Sequence, residues 1–379
     1  MSTETETVRL TKTRRDRTDV SIILTAGALL IIGLVMGLGA SSIRSAEAAG
    51  SAFTWFARQF LWAALGVAAL VFGWRFDYRR LRNLSYVLVP VVWVLLAITF
   101  LSEPVGGARR WIEFGTFQLQ PSEFAKLVLI VFGADVLSRK IGKLDDWRHL
   151  VVPYLAAVGV TCLLVLLQPD FGTTVIIAVA ALAVCYLVGA DLRTLGGITG
   201  IAALVAVPVM MSASYRRARL FAFLSGGADC LNTAYQTCQG LVALGSGRIF
   251  GLGLGSSRQK YGHLPNPETD FIFAILGEET GLVGTLTVLA LFALLLVLGV
   301  RAAKRARDPF GFVIAAGVTA WITMQVLINV GAVAGILPIT GVPLPLISFG
   351  GTSLLVSLAG LGLVASVARR GVRLPRKPT

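Results

Sequence analysis

Apolar residues run in blocks of membrane-spanning length along almost the whole chain, at approximately 20–40, 54–73, 84–101, 122–138, 150–168, 171–189, 194–212, 271–300, 310–336 and 347–367. A bilayer-crossing helix needs roughly 20 mostly apolar residues. Backbone in hydrocarbon must also satisfy its own polar groups, which a helix does within one segment. The pattern predicts an all-α, polytopic integral membrane protein of about ten transmembrane helices. A polar tail covers 1–19, the ten-helix domain 20–368 and a basic tail 369–379. Ser21 to Ala40 exceeds the roughly 7–15 residues of a signal-peptide core, so the cleavage-like Ala46-Glu47-Ala48 is expected to follow an uncleaved span. No internal repeat points to an inverted-repeat transporter.

Two interruptions differ from ordinary short connections. Residues 213–269 form a large loop between the seventh and eighth spans, and loops of that length are usually functional or disordered. Here Leu231, Ala234, Cys238, Leu241, Val242 and Gly245 recur at helical spacing, which argues for order. Tyr215 to Phe221 reads as a basic segment lying on the headgroups. The second interruption, Gly335 to Ser353, has too many prolines and glycines for a continuous helix, yet its apolar side chains place it at membrane depth. Irregular backbone is tolerated there only where protein or a water-filled cavity receives its polar groups. A polar cavity near the outer face is therefore expected.

Charge sharpens the topology. Only 14% of residues are charged, with a mean hydropathy of +0.78, whereas a soluble chain carries about 25%. A net charge of +14 could suggest nucleic acid in a soluble protein. With the N-terminus inside, however, 23 of the 34 basic residues fall in inner segments, as the positive-inside rule requires. That asymmetry fits an even number of spans with both termini cytoplasmic, and it leaves no reason to expect a nucleic-acid partner. The basic tails suit membrane lipids of an anionic inner leaflet. His149, His263 and the four cysteines show no metal-ligand spacing. If Cys230 and Cys238 shared a helix, their Cα atoms would stand ~12 Å apart, too far for a disulfide. A bridge requires the helix to begin after Cys230, and the pair is expected to be unbridged.

Charged residues near the outer ends of the spans are the candidates for chemistry. Glu123 and Lys126 lie three apart at the start of the fourth span, on one helix face where they can pair. They are either a structural ion pair or a fixed cation beside a cavity. Asp270 opens the eighth span behind Pro265 and Pro267, which stiffen its approach; it is either a helix N-cap or a carboxylate delivered in a set pose. Asp170, in Gln168-Pro169-Asp170-Phe171-Gly172, carries the same ambiguity. Glu278 and Glu279 should face the bundle interior. Gly251-Leu252-Gly253-Leu254-Gly255 lacks the Gly-Lys-Ser/Thr of a phosphate loop.

Gly106 to Ile112, Gln120 to Leu127, Gln168 to Gly172, Leu264 to Glu279 and Leu337 to Thr352 together resemble the SEDS family, the FtsW and RodA proteins of bacterial cell-wall synthesis. The matching stretches span most of the chain in the family's order. Arg258-Gln259-Lys260 and Tyr215 to Leu224 look more like the division branch than the elongation branch. Glu268 stands where the family commonly has histidine, and Phe349 where it has tyrosine. The resemblance implies a peptidoglycan glycosyltransferase of the bacterial plasma membrane, at the division septum, polymerising lipid II with release of undecaprenyl pyrophosphate. Asp270 matches the family's essential aspartate and would be the catalytic base. Arg109, Glu123, Lys126, Arg258, Lys260 and Ser348 would bind substrate, and a divalent cation, Mg or Mn, could assist. The implied partners are a class B penicillin-binding protein transpeptidase and other divisome membrane proteins. A lipid II flippase and a non-catalytic scaffold are the rival readings.

Overall fold

The computed structural model describes residues 17–371 except 105–106, 116, 140–150, 213, 225–228, 233 and 263. Among the described residues, ten helices correspond one for one to the ten apolar blocks: α1 (Thr18–Ala49), α2 (Thr54–Arg75), α3 (Leu81–Ile98), α4 (Pro121–Ser138), α5 (Ala156–Leu167), α6 (Phe171–Leu187), α7 (Leu192–Ser212), α10 (Ile272–Lys304), α11 (Pro309–Val333) and α12 (Gly351–Arg370). The large loop supplies two more, α8 (Ser214–Leu224) and α9 (Tyr235–Ser246). Seven of the ten are long and apolar enough to cross a membrane by themselves. The rest are α4, which carries Glu123, Lys126 and Asp135, and the shorter apolar α5 and α6.

The bundle is built around α11 and α12, whose side chains are mostly buried, while α7 stands almost wholly exposed at the periphery. Trp321, Ile347, Leu29 and Leu137 lie deep in the core. Small residues let helices meet at backbone distance. On α12, Gly362 has no room for a Cβ, which would fall 2.5 Å from the Leu70 carbonyl oxygen of α2. Apolar residues on the outer faces of α2, α3, α7 and α10 remain exposed, which is what a lipid-facing surface requires.

The two ends of the bundle differ. One end gathers the short connections, closed by ion pairs: Asp135, fully buried, accepts from Arg82 Nε at 2.9 Å and Arg139 Nε at 2.7 Å. Asp308 caps α11 through Gly311 N–H and accepts from Tyr78 Oη at 2.7 Å and Arg79 Nε at 3.1 Å. Burial, with Asp308 alongside, pushes the Tyr78 phenol up to about 12. The opposite end carries a hairpin of β1 (Ile112–Phe114) and β2 (Phe117–Leu119), in which Ile112 pairs with Leu119 and Phe114 with Phe117. It also carries the large loop and the irregular segment 335–350.

One expectation fails. Cys230 and Cys238 form a disulfide, with Cα atoms 5.6 Å apart. Helical order does not start at Leu231, because α9 begins at Tyr235. Before it, the Asp229 carbonyl accepts from Ala234 N–H, so the chain folds back there and brings the two cysteines within bridging reach.

Candidate functional site

The irregular segment 335–350 sets the frame. Its polar backbone is received by side chains of neighbouring helices rather than by open water. Gln325 Nε2 donates to Pro343 O at 2.9 Å, Asn329 Nδ2 to Val342 O at 2.8 Å, and Gln59 Nε2 to Ser348 O at 3.4 Å. Polar groups held at membrane depth need such partners. Ser348 is engaged the same way: its hydroxyl donates to Thr269 O at 2.6 Å and accepts from Leu344 N–H at 2.7 Å. Phe349 N–H binds Glu268 O at 2.8 Å. The segment therefore grips the backbone just before Asp270, and Asn329 Nδ2 completes the hold on Asp270 O at 2.9 Å.

The two aspartates of ambiguous role separate here. Asp170 is the N-cap of α6: it accepts from Thr173 N–H and Oγ1 and from Gln120 Nε2. The N-cap of α10 is Phe271, with no side-chain cap bond, so the Asp270 carboxylate is released from that task. It is half-buried in a small cleft lined by Asn329, Val333, Ile339, Thr340, Gly341 and Val342. Burial pushes its carboxyl up to about 6, opposed by the positive charges of Arg219 and Arg110. Gly341, at φ +73°, forms the floor: a Cβ there would lie 3.5 Å from Asp270 Oδ2 and 3.9 Å from Arg219 Nη1.

The other sequence candidates fall into separate places. Lys126 is buried against Glu123, with Nζ to Oε2 at 2.8 Å. It donates to Gln325 Oε1 at 3.1 Å and lies 5.1 Å from the Trp321 ring. The pair thus reaches the segment 335–350 through Gln325, whose amide holds Pro343 O. Arg109 is exposed and donates to Phe100 O at 3.1 Å. Lys260 is buried, with Nζ 2.6 Å from Gly255 O and 3.6 Å from Glu279 Oε1. Arg258 holds Glu278 through its backbone N–H at 3.0 Å while its side chain is exposed.

The last two positions belong to a device the sequence did not reveal. Helix α10 is broken at Gly281 (φ +66°, ψ −162°), and the large loop enters the break. Leu252 and Gly253 N–H bind Glu278 O and Glu279 O, while Leu282 and Val283 N–H bind Arg248 O and Ile249 O. The carboxylates of Glu278 and Glu279, facing inward as expected, then receive Ser257 Oγ and the backbone N–H groups of 257–259. Four backbone groups flanking the break, Glu278 O, Glu279 O, Leu282 N–H and Val283 N–H, thus find loop partners, as buried backbone must. Gly251 and Gly253 serve this close pairing.

Arg219 and Arg110 are the site residues that sequence reasoning did not single out. Arg219 sat in a stretch whose basic character alone suggested headgroup contact, and no spacing rule aims it at Asp270. Asn329 had a usable signal, since a polar amide inside an apolar span is costly unless it is engaged. The charged neighbours of Asp270 are Arg219, Arg110 and Glu268, and among the described residues no three acidic, histidine or cysteine side chains gather at one point.

A multi-helix membrane bundle that presents an uncapped carboxylate beside two arginines, at the end carrying its long loops, has the build of a membrane-embedded polar-headgroup site. The comparisons narrow this class. The sequence profile described as "Cell cycle protein", covering FtsW, RodA and SpoVE, matches residues 19–372, and the chain belongs to that family. It is 38% identical to the stage V sporulation protein E of Bacillus subtilis, across 94% of this chain and 98% of that protein. It is 36% identical to a probable peptidoglycan glycosyltransferase FtsW of Geobacter metallireducens, across 94% and 96%. Among solved structures, it superposes on a chain of a peptidoglycan synthase complex with a TM-score of 0.75 at 29% identity, covering 92% and 96% of the two chains. It also superposes on the rod shape determining protein RodA of Thermus thermophilus with a TM-score of 0.68 at 27% identity, covering 94% and 97%.

Proposed function

We propose that this chain is a peptidoglycan glycosyltransferase that polymerises lipid II. The observation that carries the reading is the Asp270 carboxylate, freed from capping, half-buried and held by its backbone from two sides. In the proposed reaction, Asp270 takes the proton from the 4-hydroxyl of an acceptor N-acetylglucosamine. That oxygen bonds to the anomeric carbon of a donor N-acetylmuramic acid, and undecaprenyl pyrophosphate leaves with the electrons of the broken C–O bond. A positioned general base contributes typically ~10²–10⁴-fold, and its deprotonated fraction at neutral pH suits a group at about 6. Relatives bearing the glycosyltransferase name support the reaction class.

The setting follows from the same reading. The end bearing Asp270 faces the outer side of the plasma membrane, both termini lie in the cytoplasm, and the protein works at the division septum. A single-span class B penicillin-binding transpeptidase is its partner, alongside other divisome membrane proteins. A solved complex for polymerization and crosslinking contains a chain of this fold. A flippase would need a polar route through the bundle. Instead Trp321, Val318, Leu358 and Leu361 are buried in the middle, and the cavity that Leu361 borders is lined mostly by apolar side chains, which favours the enzyme.

The test is polymerisation of lipid II by the protein purified with its transpeptidase, comparing native Asp270 with Asp270→Asn. Glycan strands from the native complex alone would support both the enzyme and the base. Strands from both would move the base elsewhere, with Glu268 the next carboxylate to replace. A folded complex that makes none would favour the flippase, tested by headgroup translocation.

A further inference from the structure

We propose that Arg110 and Arg219 are the diphosphate-binding residues of this site, gripping the leaving group beside Asp270; this rests on the polymerase reading above. Three of the four outer-side cations that sequence suggested are otherwise engaged, and the side chain of the fourth, Arg258, is exposed. Lys126 is sealed against Glu123 and Gln325, Lys260 against Gly255 O and Glu279, and Arg109 is tied to Phe100 O. Moving any of the buried pair members to a ligand would leave a carboxylate unpaired in the interior, which is strongly unfavourable.

The two guanidiniums that act on Asp270 have donors to give. Arg110 makes one acidic contact, 3.9 Å from Nη1 to Asp170 Oδ1, and that carboxylate already accepts from Thr173 and Gln120. Its Nε–H is buried with no acceptor. A buried donor without a partner costs about 1–3 kcal/mol, so the position is built for an acceptor that arrives from outside. The Arg219 side chain shows no hydrogen bond or ion pair among the described residues, and its Nη1 stands with Asp270 Oδ2 over the bare backbone of Gly341. The Asp170 end of α6 reaches the same floor: Gly172 packs on Thr340 O and the Val342 side chain. Segment 340–342 thus touches both the Asp270–Arg219 side and the start of α6 that carries Asp170, and the charges of Arg219 and Arg110 both reach Asp270.

Chemistry favours a diphosphate over a single charge. A guanidinium presents a planar fork of donors that matches phosphate oxygens two at a time. Two forks can hold both phosphates, and fixed cations stabilise best the charge that develops on a leaving oxygen. In the transfer, the bond from the anomeric carbon to the phosphate oxygen breaks and its electron pair goes to that oxygen. The acceptor oxygen bonds the same carbon, and its proton goes to Asp270. The arginines take no proton; they hold the group that leaves while Asp270 works on the group that enters.

The test uses the purified complex with Arg110→Gln, Arg219→Gln and Arg219→Lys. Lipid II polymerisation is measured with inorganic pyrophosphate and inorganic phosphate as inhibitors, together with the shift in melting temperature that each anion produces. Native protein should be inhibited and stabilised by pyrophosphate more than by phosphate. Each Gln variant should lose about tenfold or more in kcat/KM and in pyrophosphate affinity, the scale of one charge-assisted hydrogen bond. Arg219→Lys should recover only part, because a point charge lacks the fork. A native complex that polymerises, with Gln variants of unchanged kcat/KM and unchanged response to pyrophosphate, would overturn the assignment. Pyrophosphate stabilisation that is absent from the native protein would overturn it as well. If the native protein binds pyrophosphate through these arginines but makes no polymer, the anion site stands and the polymerase reading falls.

Discussion

At the scale of single residues, position in a turn decides what a carboxylate does. Asp170 and Asp270 both stand before a helix behind a proline, and the sequence left both open between cap and site. Asp170 sits at the cap position and is consumed by Thr173. Asp270 is one residue too early, because Phe271 takes the cap. That single-residue offset depends on the hold of Ser348, Phe349 and Asn329 on the preceding backbone, contacts from distant parts of the chain that no local pattern encodes. Arg219 is illegible for the same reason. Asp270→Asn should lower polymerisation by ~10²–10⁴-fold with the melting temperature of the complex retained. The pH dependence follows from the raised carboxyl, at about 6 against an ordinary 3.8. Activity should fall about tenfold per unit on the acid side of that value, measured as kcat/KM against pH. Stability should move the other way. Between the ordinary value and the raised one the folded state holds the extra proton, so this group's contribution declines as pH rises through that window. Asp270→Asn should remove the decline.

At the scale of elements, the apolar blocks were legible because hydrocarbon admits few solutions. Each block is a helix, including α4 with its internal ion pair. The break in α10 was not legible. Periodicity sees one apolar run from 271 to 300, and Gly281 within it resembles any small packing residue. Its backbone lies in a region essentially restricted to glycine, worth ~1–3 kcal/mol to another residue, and an added Cβ would meet Ile249 and Gly251 backbone. Gly281→Ala should therefore lower the melting temperature of the detergent-solubilised protein. It should also cut activity, because the short outer piece of α10 carries Asp270 at its start. An unchanged melting temperature would mean the loop does not hold the break. The disulfide acts on the neighbouring wall. Helix α9 seats Gly240 against the Phe271 ring, where a Cβ would come within 2.8 Å, and Gln236 reaches Pro265 O. Closing the short loop between Cys230 and Cys238, at a sequence separation of 8, should be worth about 2.5 kcal/mol by chain entropy. Replacing both cysteines with serine should lower the melting temperature, and a reducing agent should do so only for the native protein.

At the scale of the whole molecule, the chain divides its work between its two ends, and this division is what charge along the sequence reported. The basic end is closed by short connections and self-contained ion pairs around Asp135 and Asp308. The other end spends its length on a loop that enters a broken helix and on an irregular segment that steadies an aspartate. If the positive-inside bias sets orientation, the site must face away from the cytoplasm, where a lipid-linked donor and a growing glycan can both reach it. Single cysteines put in place of Ser102 and Asp77, in a protein whose half-buried Cys162 and buried Cys185 are replaced by alanine, decide this directly. Ser102 follows α3 at the site end and Asp77 follows α2 at the basic end. A membrane-impermeant maleimide on intact cells should label Ser102→Cys at once and Asp77→Cys only after permeabilisation. The reverse pattern would put Asp270 in the cytoplasm. Both positions labelled from outside would mean that α3 does not cross, and the count of ten spans would fail with it.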